Sequence, residues 1–285
     1  MAKNFRQELV GVFGYPVDEN PTVVIQEAAF EAKGLFWRYL TLLVKPEALK
    51  DAMQSLRALS FKGINLTIPH KVACIPFLDR VDKSAALIGA VNTVKNDNGT
   101  LIGYNTDGQG FVRSLDEAGV ALKGATIALL GAGGAGRAIA VEAALAGAKK
   151  LYIYNRNEER GASLAKLVSD STGCEAAYIK WSGTVAIPTD ANILVNATSV
   201  GLYPDTSLPD IDMAGITDAL VVCDVIPNPP MTPFLNEAKQ RGANKLITGA
   251  GMLVQQGAIG FEIWTGKKAP ADVMLCALQR AFSEE

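Results

Sequence analysis

A glycine-rich turn between a strand and a helix constrains this chain more than any other feature. Residues 126–148 read TIALLGAGGAGRAIAVEAALAGA, in which an apolar run precedes the turn and a helical pattern follows it. Glycine lets a backbone turn sharply and approach a pyrophosphate, and the start of the next helix offers unpaired N–H groups and a positive dipole end. The pattern predicts a dinucleotide-binding turn at Gly131, Gly133, Gly134, Ala135 and Gly136. The alternative is a tight strand-to-helix turn that binds nothing.

The next strand ends in Tyr154-Asn155-Arg156-Asn157, and this ending indicates which dinucleotide binds. Units that bind NAD usually carry an acid here, which accepts from the ribose 2′-hydroxyl and would repel a 2′-phosphate. This chain has neutral Asn155 followed by Arg156, whose guanidinium matches a phosphate bidentately. We therefore expect NADP as the cofactor, with NAD less favoured. The alternative is that Arg156 is a solvated residue leading into the next helix.

A second polar segment follows the apolar run ILV and reads Asn196-Ala197-Thr198-Ser199. Ligands in open α/β sheets lie at the carboxyl ends of the strands. Asn196, Thr198 and Ser199 are therefore candidates for lining the nicotinamide side of the cofactor site. An ordinary polar loop explains the pattern equally well.

Apolar strands and helical stretches alternate along almost the whole chain. Strand patterns lie at residues 10–14, 36–44 and 64–68, and residues 92–105 hold two strand patterns around Asn98-Gly99, which is a hairpin signal. Six more strand patterns follow from about residue 126, and helical patterns at 251–264 and 271–282 close the chain. The alternation predicts an α/β fold with parallel sheets and two domains, with a boundary near residue 107.

Composition excludes several classes of protein. Apolar residues make up 49% of the chain and charged residues 20%, which is enough to build buried cores, and a net charge of −2 without a long basic run argues against nucleic acid as a partner. No uninterrupted run of ~20 apolar residues predicts a membrane span, and the first residues lack a signal-peptide pattern, so we expect a cytoplasmic protein. The cysteines Cys74, Cys174, Cys223 and Cys276 are widely spaced and the chain has one histidine, so we expect buried reduced thiols and no metal site.

Polar residues concentrate in three further segments, NLTIPHK (65–71), GAVNTV (89–94) and GYNTDGQG (103–110). An alcohol that gives up a hydride must also lose a proton, so a dehydrogenase needs a base or a proton relay near that hydroxyl. The first segment offers two candidates side by side, His70 and Lys71.

These segments, together with GAGGAGRA, NATSVG and GMLVQQGA, resemble in order the motifs of shikimate/quinate 5-dehydrogenases. The resemblance runs from about residue 14 to residue 266. It implies a two-domain α/β fold, with a substrate-binding and catalytic domain at residues 1–107, helices in residues 250–285 packing back on it, and a Rossmann NADP-binding domain at residues 108–249. It also implies the NADP-dependent interconversion of shikimate and 3-dehydroshikimate by a monomer or homodimer whose partner is a small shikimate-type acid.

Carried over residue by residue, the resemblance implies that Lys71 and Asp107 form the catalytic pair, in which Lys71 relays the alcohol proton and Asp107 orients the hydroxyl. It further implies that the substrate's hydroxyls and carboxylate are held by Asn65, Thr67, Asn92 and Gln256. His70 is then a structural neighbour. Alternative interpretations are that Lys71 is a surface lysine in a first helical turn and that Asp107 is the N-cap of a helix beginning at Gly108.

Two departures from the family pattern leave the substrate open. The family usually carries HSxSP in the loop after its first strand, where serines bind the substrate carboxylate. Here Asn20 and Thr22 take the serine positions, Glu19 replaces the histidine, and Asp18 lies beside it. Pro227 stands near the position of a usual tyrosine. The departures indicate weaker shikimate binding or another substrate, so quinate or a related cyclic hydroxy-acid, with NAD or NADP, and a non-catalytic metabolite sensor remain as alternatives.

Overall fold

The computed structural model describes residues 4–283, which divide into two compact units. The first unit comprises the described residues up to Thr106 together with those from Gln256 onward, and the second spans Asp107–Gln255. The chain returns to the first unit inside helix α9 (Gly249–Thr265). The functional assignment of the two domains stays a prediction.

A mixed six-stranded sheet forms the centre of the first unit, in the order β2-β1-β3-β5-β6-β4. The strands are β1 (Glu8–Gly14), β2 (Trp37–Leu43), β3 (Gly63–Leu66), β4 (Arg80–Val81), β5 (Thr93–Asp97) and β6 (Thr100–Tyr104). The predicted hairpin is confirmed: β5 and β6 pair antiparallel around Asn98 and Gly99, both at positive φ. The prediction of parallel pairing is wrong for this part of the sheet, because the hairpin makes β5 antiparallel to both β3 and β6.

Helices cover this sheet, and their apolar faces form the core with it. They are α1 (Thr22–Ala32), α2 (Leu49–Ala58), the short α3 (His70–Ala73) and α4 (Lys83–Ile88), most of α9, and α10 (Ala271–Ser283), with 3-10 turns at Pro46–Ala48 and Ile75–Phe77. Leu49, Met53 and Leu56 of α2 recur at helical spacing and are buried against Ile64 of β3 and Val94 of β5.

A parallel six-stranded sheet forms the centre of the second unit, in the order β12-β11-β10-β7-β8-β9. Its strands are β7 (Thr126–Leu130), β8 (Lys150–Asn155), β9 (Glu175–Lys180), β10 (Ile193–Asn196), β11 (Val221–Asp224) and β12 (Lys245–Ile247), which confirms the six predicted patterns. Its helices are α5 (Thr106–Glu117), α6 (Gly134–Leu145), α7 (Glu158–Thr172) and α8 (Pro233–Gln240), with a 3-10 turn at Met213–Gly215. Every residue of β7 is buried, as expected for a central strand that is covered on both faces.

One alternative interpretation and one expectation need correction. Helix α5 begins at Thr106, so Asp107 lies within its first turn and is not an N-cap before Gly108. All four cysteines are free thiols, but only Cys74, Cys174 and Cys223 are buried, whereas Cys276 is exposed because it lies on the outer face of α10. Along residues 4–283 no helix is both long and apolar enough to cross a membrane.

Candidate active site

The glycine-rich turn between β7 and α6 is packed so tightly that two of its glycines are required by geometry. Gly131 has a φ of +104°, and a Cβ there would lie 2.9 Å from the Ala197 carbonyl oxygen. A Cβ on Gly136 would lie 2.2 Å from the Gly131 carbonyl oxygen, so only glycine lets α6 approach the turn. These two glycines therefore shape the turn itself.

Gly133 and Gly134 have the opposite environment. Among residues 4–283, a Cβ built on either would meet no atom within 4 Å apart from its chain neighbours and the adjacent backbone of its own helix, and both residues are exposed. Gly133 is the N-cap of α6 and, as a glycine, has no side chain with which to cap that helix start. No side chain of its own therefore covers the backbone at the start of α6, and a helix start with uncovered N–H groups is the arrangement that binds a phosphate.

Asn155 ties the end of β8 to this turn. Its Oδ1 accepts a hydrogen bond from the Ala132 backbone N–H at 3.1 Å, and its Nδ2 donates to the Asn157 carbonyl at 2.7 Å. Asn157 in turn caps α7, because its side chain accepts from the Arg160 N–H at 2.9 Å. Asn155 thus supports the turn, while Arg156 is exposed beside it.

A cavity of about 340 Å³ lies next to this corner, and its lining contains two arginines that sequence reasoning missed. The lining residues are Ala132, Arg137, Asn157, Glu159, Arg160 and Ser163. Arg137 is in the first turn of α6 and Arg160 in the first turn of α7. Burial lowers the pKa of Arg137, although a guanidinium stays charged at neutral pH. The one available signal was the position of each arginine just after a strand-to-helix turn.

The segment after β10 is held by its own side chains. The buried Asn196 donates to Asp224 Oδ1 and to the Val200 carbonyl, both at 3.2 Å, and accepts from the Thr198 hydroxyl at 2.7 Å. Thr198 also accepts from the Val200 N–H at 3.1 Å. Asn196 and Thr198 therefore fix the loop, whereas Ser199 is exposed. The predicted cofactor role of all three stays a prediction.

Asp224 supports the neighbouring segment that contains Pro227. Its carboxylate accepts from the Thr232 hydroxyl at 2.7 Å and from the Ile226 N–H at 3.1 Å. Burial raises the pKa of Asp224, against the effect of these hydrogen bonds. Asp224 thus holds the backbone next to Pro227, which stands near the position of the family's usual tyrosine.

In the first unit, His70 and Lys71 open α3. His70 is buried, and its Nε2 lies 2.7 Å from the Val44 carbonyl oxygen, which makes it a structural contact to the end of β2. Lys71 is half-buried, and its carbonyl accepts from the Val91 N–H at 2.7 Å. This bond holds the NLTIPHK segment beside GAVNTV. The structure therefore favours the predicted structural role of His70.

A buried polar network connects the predicted substrate residues Asn65 and Asn92 and includes Tyr39, which sequence reasoning missed. The Tyr39 hydroxyl donates to Asn65 Oδ1 at 2.8 Å. Asn65 Nδ2 donates to the Asn92 carbonyl at 3.1 Å and to Thr93 Oγ1 at 2.9 Å. Burial raises the pKa of Tyr39 well above its usual value, so the phenol is neutral. A tyrosine inside a predicted apolar strand gave no signal of this role.

Asn92 extends this network to the end of the first unit. Its Oδ1 accepts from the Thr106 N–H at 2.7 Å, and its Nδ2 donates to Thr106 Oγ1 at 2.9 Å.

Thr67 is half-buried, and its N–H donates to the Phe13 carbonyl at 3.0 Å, which places it at the end of β1. Gln256 is buried in α9.

The loop after β1 forms a turn at residues 17–22. The Asn20 N–H donates to the Val17 carbonyl at 3.1 Å, and Asn20 Oδ1 accepts from the Thr22 N–H at 3.0 Å. Asp18 and Glu19 are exposed, whereas Thr22 is buried. The first unit thus holds every predicted substrate-binding residue and Lys71, while Asp107 belongs to the second unit. The catalytic pairing of Lys71 and Asp107 stays a prediction.

Family comparisons cover most of the chain. Residues 12–94 match the shikimate dehydrogenase substrate binding domain, residues 114–203 match shikimate/quinate 5-dehydrogenase, and residues 249–279 match the shikimate 5′-dehydrogenase C-terminal domain. A shikimate dehydrogenase (NADP⁺) of Desulforamulus reducens is 41% identical over 285 residues, which covers 99% of this chain and 98% of the relative.

Two solved structures show the same architecture. The ligand-free 5-ketofructose reductase of a Gluconobacter strain superposes with a TM-score of 0.95 at 45% identity, covering 98% of this chain and all of the other. The shikimate 5-dehydrogenase of Thermus thermophilus, in complex with NADP(H) and shikimate, has a TM-score of 0.84 at 36% identity and covers 96% of this chain and all of the other.

Proposed function

The chain belongs to the shikimate dehydrogenase family, and on that premise we propose that it is an NADP-dependent oxidoreductase that interconverts shikimate and 3-dehydroshikimate. The observation that carries this proposal is full-length similarity: relatives named shikimate dehydrogenase (NADP⁺) are about 40% identical over nearly the whole chain. Matches to both the substrate-binding and the dehydrogenase models support it, because the activity needs both parts.

The second unit suits a dinucleotide with a 2′-phosphate. Gly133 and Gly134 leave the backbone at the start of α6 open, which fits a pyrophosphate. The cavity that contains Arg137 and Arg160, next to the exposed Arg156, fits an additional phosphate group. When bound, NADP supplies the hydride acceptor for alcohol oxidation and, in its reduced form, the hydride donor for ketone reduction. We assign the pyrophosphate to the glycine turn and the 2′-phosphate to this arginine-lined corner.

The first unit suits a polyhydroxylated substrate. Asn65, Thr67, Asn92 and Gln256 are neutral hydrogen-bonding side chains, and such groups match hydroxyls without imposing a charge. In the proposed reaction the proton of the reacting hydroxyl passes to Lys71, and Asp107 orients that hydroxyl. Both roles rest on the resemblance of the NLTIPHK and GYNTDGQG segments.

A second candidate substrate is an uncharged keto sugar of the 5-ketofructose type. Two observations favour it: the 5-ketofructose reductase has a TM-score of 0.95 and 45% identity, and the turn at residues 17–22 carries two acids in place of the family's usual loop. The reaction is the same alcohol–ketone interconversion with a different substrate.

A spectrophotometric assay tests the proposal. Absorbance of the reduced cofactor is followed with shikimate or quinate plus NADP⁺ or NAD⁺, and with 5-ketofructose plus NADPH. We expect turnover with NADP⁺ and shikimate, and faster turnover with NADP than with NAD. Turnover of 5-ketofructose alone would establish the second candidate. Binding of these compounds without any turnover would contradict the enzymatic proposal and favour a sensor.

A further inference from the structure

We propose that the turn at residues 17–22 selects substrates that lack a negative charge, so that this site takes an uncharged polyhydroxylated ketone or alcohol in preference to a ring carboxylate. The inference rests on the proposed alcohol–ketone oxidoreductase function, and it concerns which of the two candidate substrates the same site prefers. Its basis is which polar groups of the first unit can still donate or accept a hydrogen bond, together with the charge of the turn.

The residue at the second serine position is almost completely buried. Thr22 is only 5% exposed, and its backbone N–H donates to Asn20 Oδ1 at 3.0 Å. A buried neutral hydroxyl supplies no positive charge with which to hold a carboxylate.

Asn65 has no further donor to offer a ligand. Both protons of its Nδ2 are used, one by the Asn92 carbonyl and one by Thr93 Oγ1. Its Oδ1 accepts one hydrogen bond, from Tyr39, and an amide oxygen has a second lone pair. What Asn65 can add is one more acceptor position, which suits a substrate hydroxyl that donates.

The turn itself adds negative charge. Asp18 and Glu19 are both exposed and directly precede Asn20. The Oδ1 of Asn20 is used by the Thr22 N–H, so the amide nitrogen of Asn20 is a neutral donor that serves a carbonyl or hydroxyl oxygen as well as a carboxylate. Two carboxylates beside a bound anion raise its energy, but they leave a neutral ligand unaffected or accept from its hydroxyls.

These features together describe the ligand. Acceptor lone pairs and negative charge favour a compound rich in O–H donors, and they disfavour a group that only accepts. The chemistry is balanced without a new reactant: reduction adds a hydride from the reduced cofactor to the ketone carbon and a proton to its oxygen. Of the two candidate substrates named under the proposed function, these features favour the second, a neutral keto sugar or polyol, over the carboxylate shikimate.

Equilibrium binding tests this inference independently of turnover. The probes are shikimate and its methyl ester, which share one ring and differ in charge, and the full-length chain is titrated with each. The variant Asp18→Asn/Glu19→Gln removes both charges and keeps side-chain size. The matched control is Glu47→Gln/Asp51→Asn, which removes the same charge at exposed positions before and within α2 of the same unit.

We expect wild type to bind the methyl ester more tightly than shikimate, and the turn variant to lower the Kd ratio of shikimate to ester by about tenfold, the size of a typical specificity contact. The control should leave the ratio within about twofold, because exposed charges elsewhere are screened by solvent. A ratio that does not change in the turn variant, or changes equally in the control, overturns the inference. Because the readout is binding, failure of the proposed reaction would show separately as absent turnover in the assay above.

Discussion

The Tyr39 phenol donates to Asn65 Oδ1 at 2.8 Å, and both side chains are almost completely buried. This bond links β2 to β3 across β1, which lies between them in the sheet. It also orients the amide of Asn65, because the oxygen faces Tyr39 and the nitrogen faces Asn92 and Thr93. Asn65, a predicted substrate-binding residue, is thus positioned by Tyr39, which has no predicted contact with the substrate.

Replacing Tyr39 with phenylalanine should destabilise the protein and weaken substrate binding. The substitution keeps the ring but leaves Asn65 Oδ1 without the phenol that donates to it, and an unsatisfied buried polar group costs roughly 1–3 kcal/mol. We expect the free energy of unfolding in urea to fall by about that amount and the substrate KM to rise more than kcat falls. The control is Tyr203→Phe, at a residue 77% exposed, which should change stability by less than about 0.5 kcal/mol. If the two variants changed the free energy of unfolding and the substrate KM equally, the Tyr39 hydroxyl would have no role in positioning Asn65.

Lys71→Ala tests the proton relay. We expect kcat to fall by about 10²–10⁴-fold, the usual contribution of a positioned acid–base group, with a smaller change in KM. Lys83→Ala is the control, because Lys83 is exposed on α4 of the same unit and has no assigned role. A near-wild-type kcat in Lys71→Ala would exclude this side chain from the mechanism.

Local patterns allowed much of this fold to be predicted. The strands and the glycine turn have signatures within a few residues, and the strand-to-helix order gave the class of fold, which the structure confirms. Tyr39 could not be found because its partner Asn65 lies 26 residues away and a tyrosine in an apolar strand looks like an ordinary core residue. Arg137 and Arg160 were missed for a related reason: their shared cavity forms only when the starts of α6 and α7 are brought together around β7 and β8.

Cofactor preference should depend on the arginines at this corner. Arg156→Ala and Arg160→Ala should each weaken NADP binding by roughly 1–3 kcal/mol, the scale of a charge-assisted hydrogen bond, and affect NAD much less, because NAD lacks the 2′-phosphate. Fluorescence titration with NADPH and NADH measures both. Lys166→Ala removes a charge from an exposed position on the same helix as Arg160 and should alter neither affinity by more than about twofold. Equal losses for the two cofactors would contradict a 2′-phosphate site here.

Thiol reactivity should separate Cys276 from the other three cysteines. The thiolate is the reactive species, and burial raises the pKa of Cys74 to about 12 and that of Cys174 to about 11, while Cys223 is completely buried and its pKa is also raised. Cys276 is exposed on α10. With a disulfide reagent such as DTNB near pH 8, we expect one thiol per native chain to react fast and all four to react in denaturant. Cys276→Ser should abolish the fast phase without changing the melting temperature measurably, because the side chain has few contacts to lose. A fast phase that persists in this variant would mean that one of the three buried thiols is accessible in solution, and that the packing around it is looser than the structure shows.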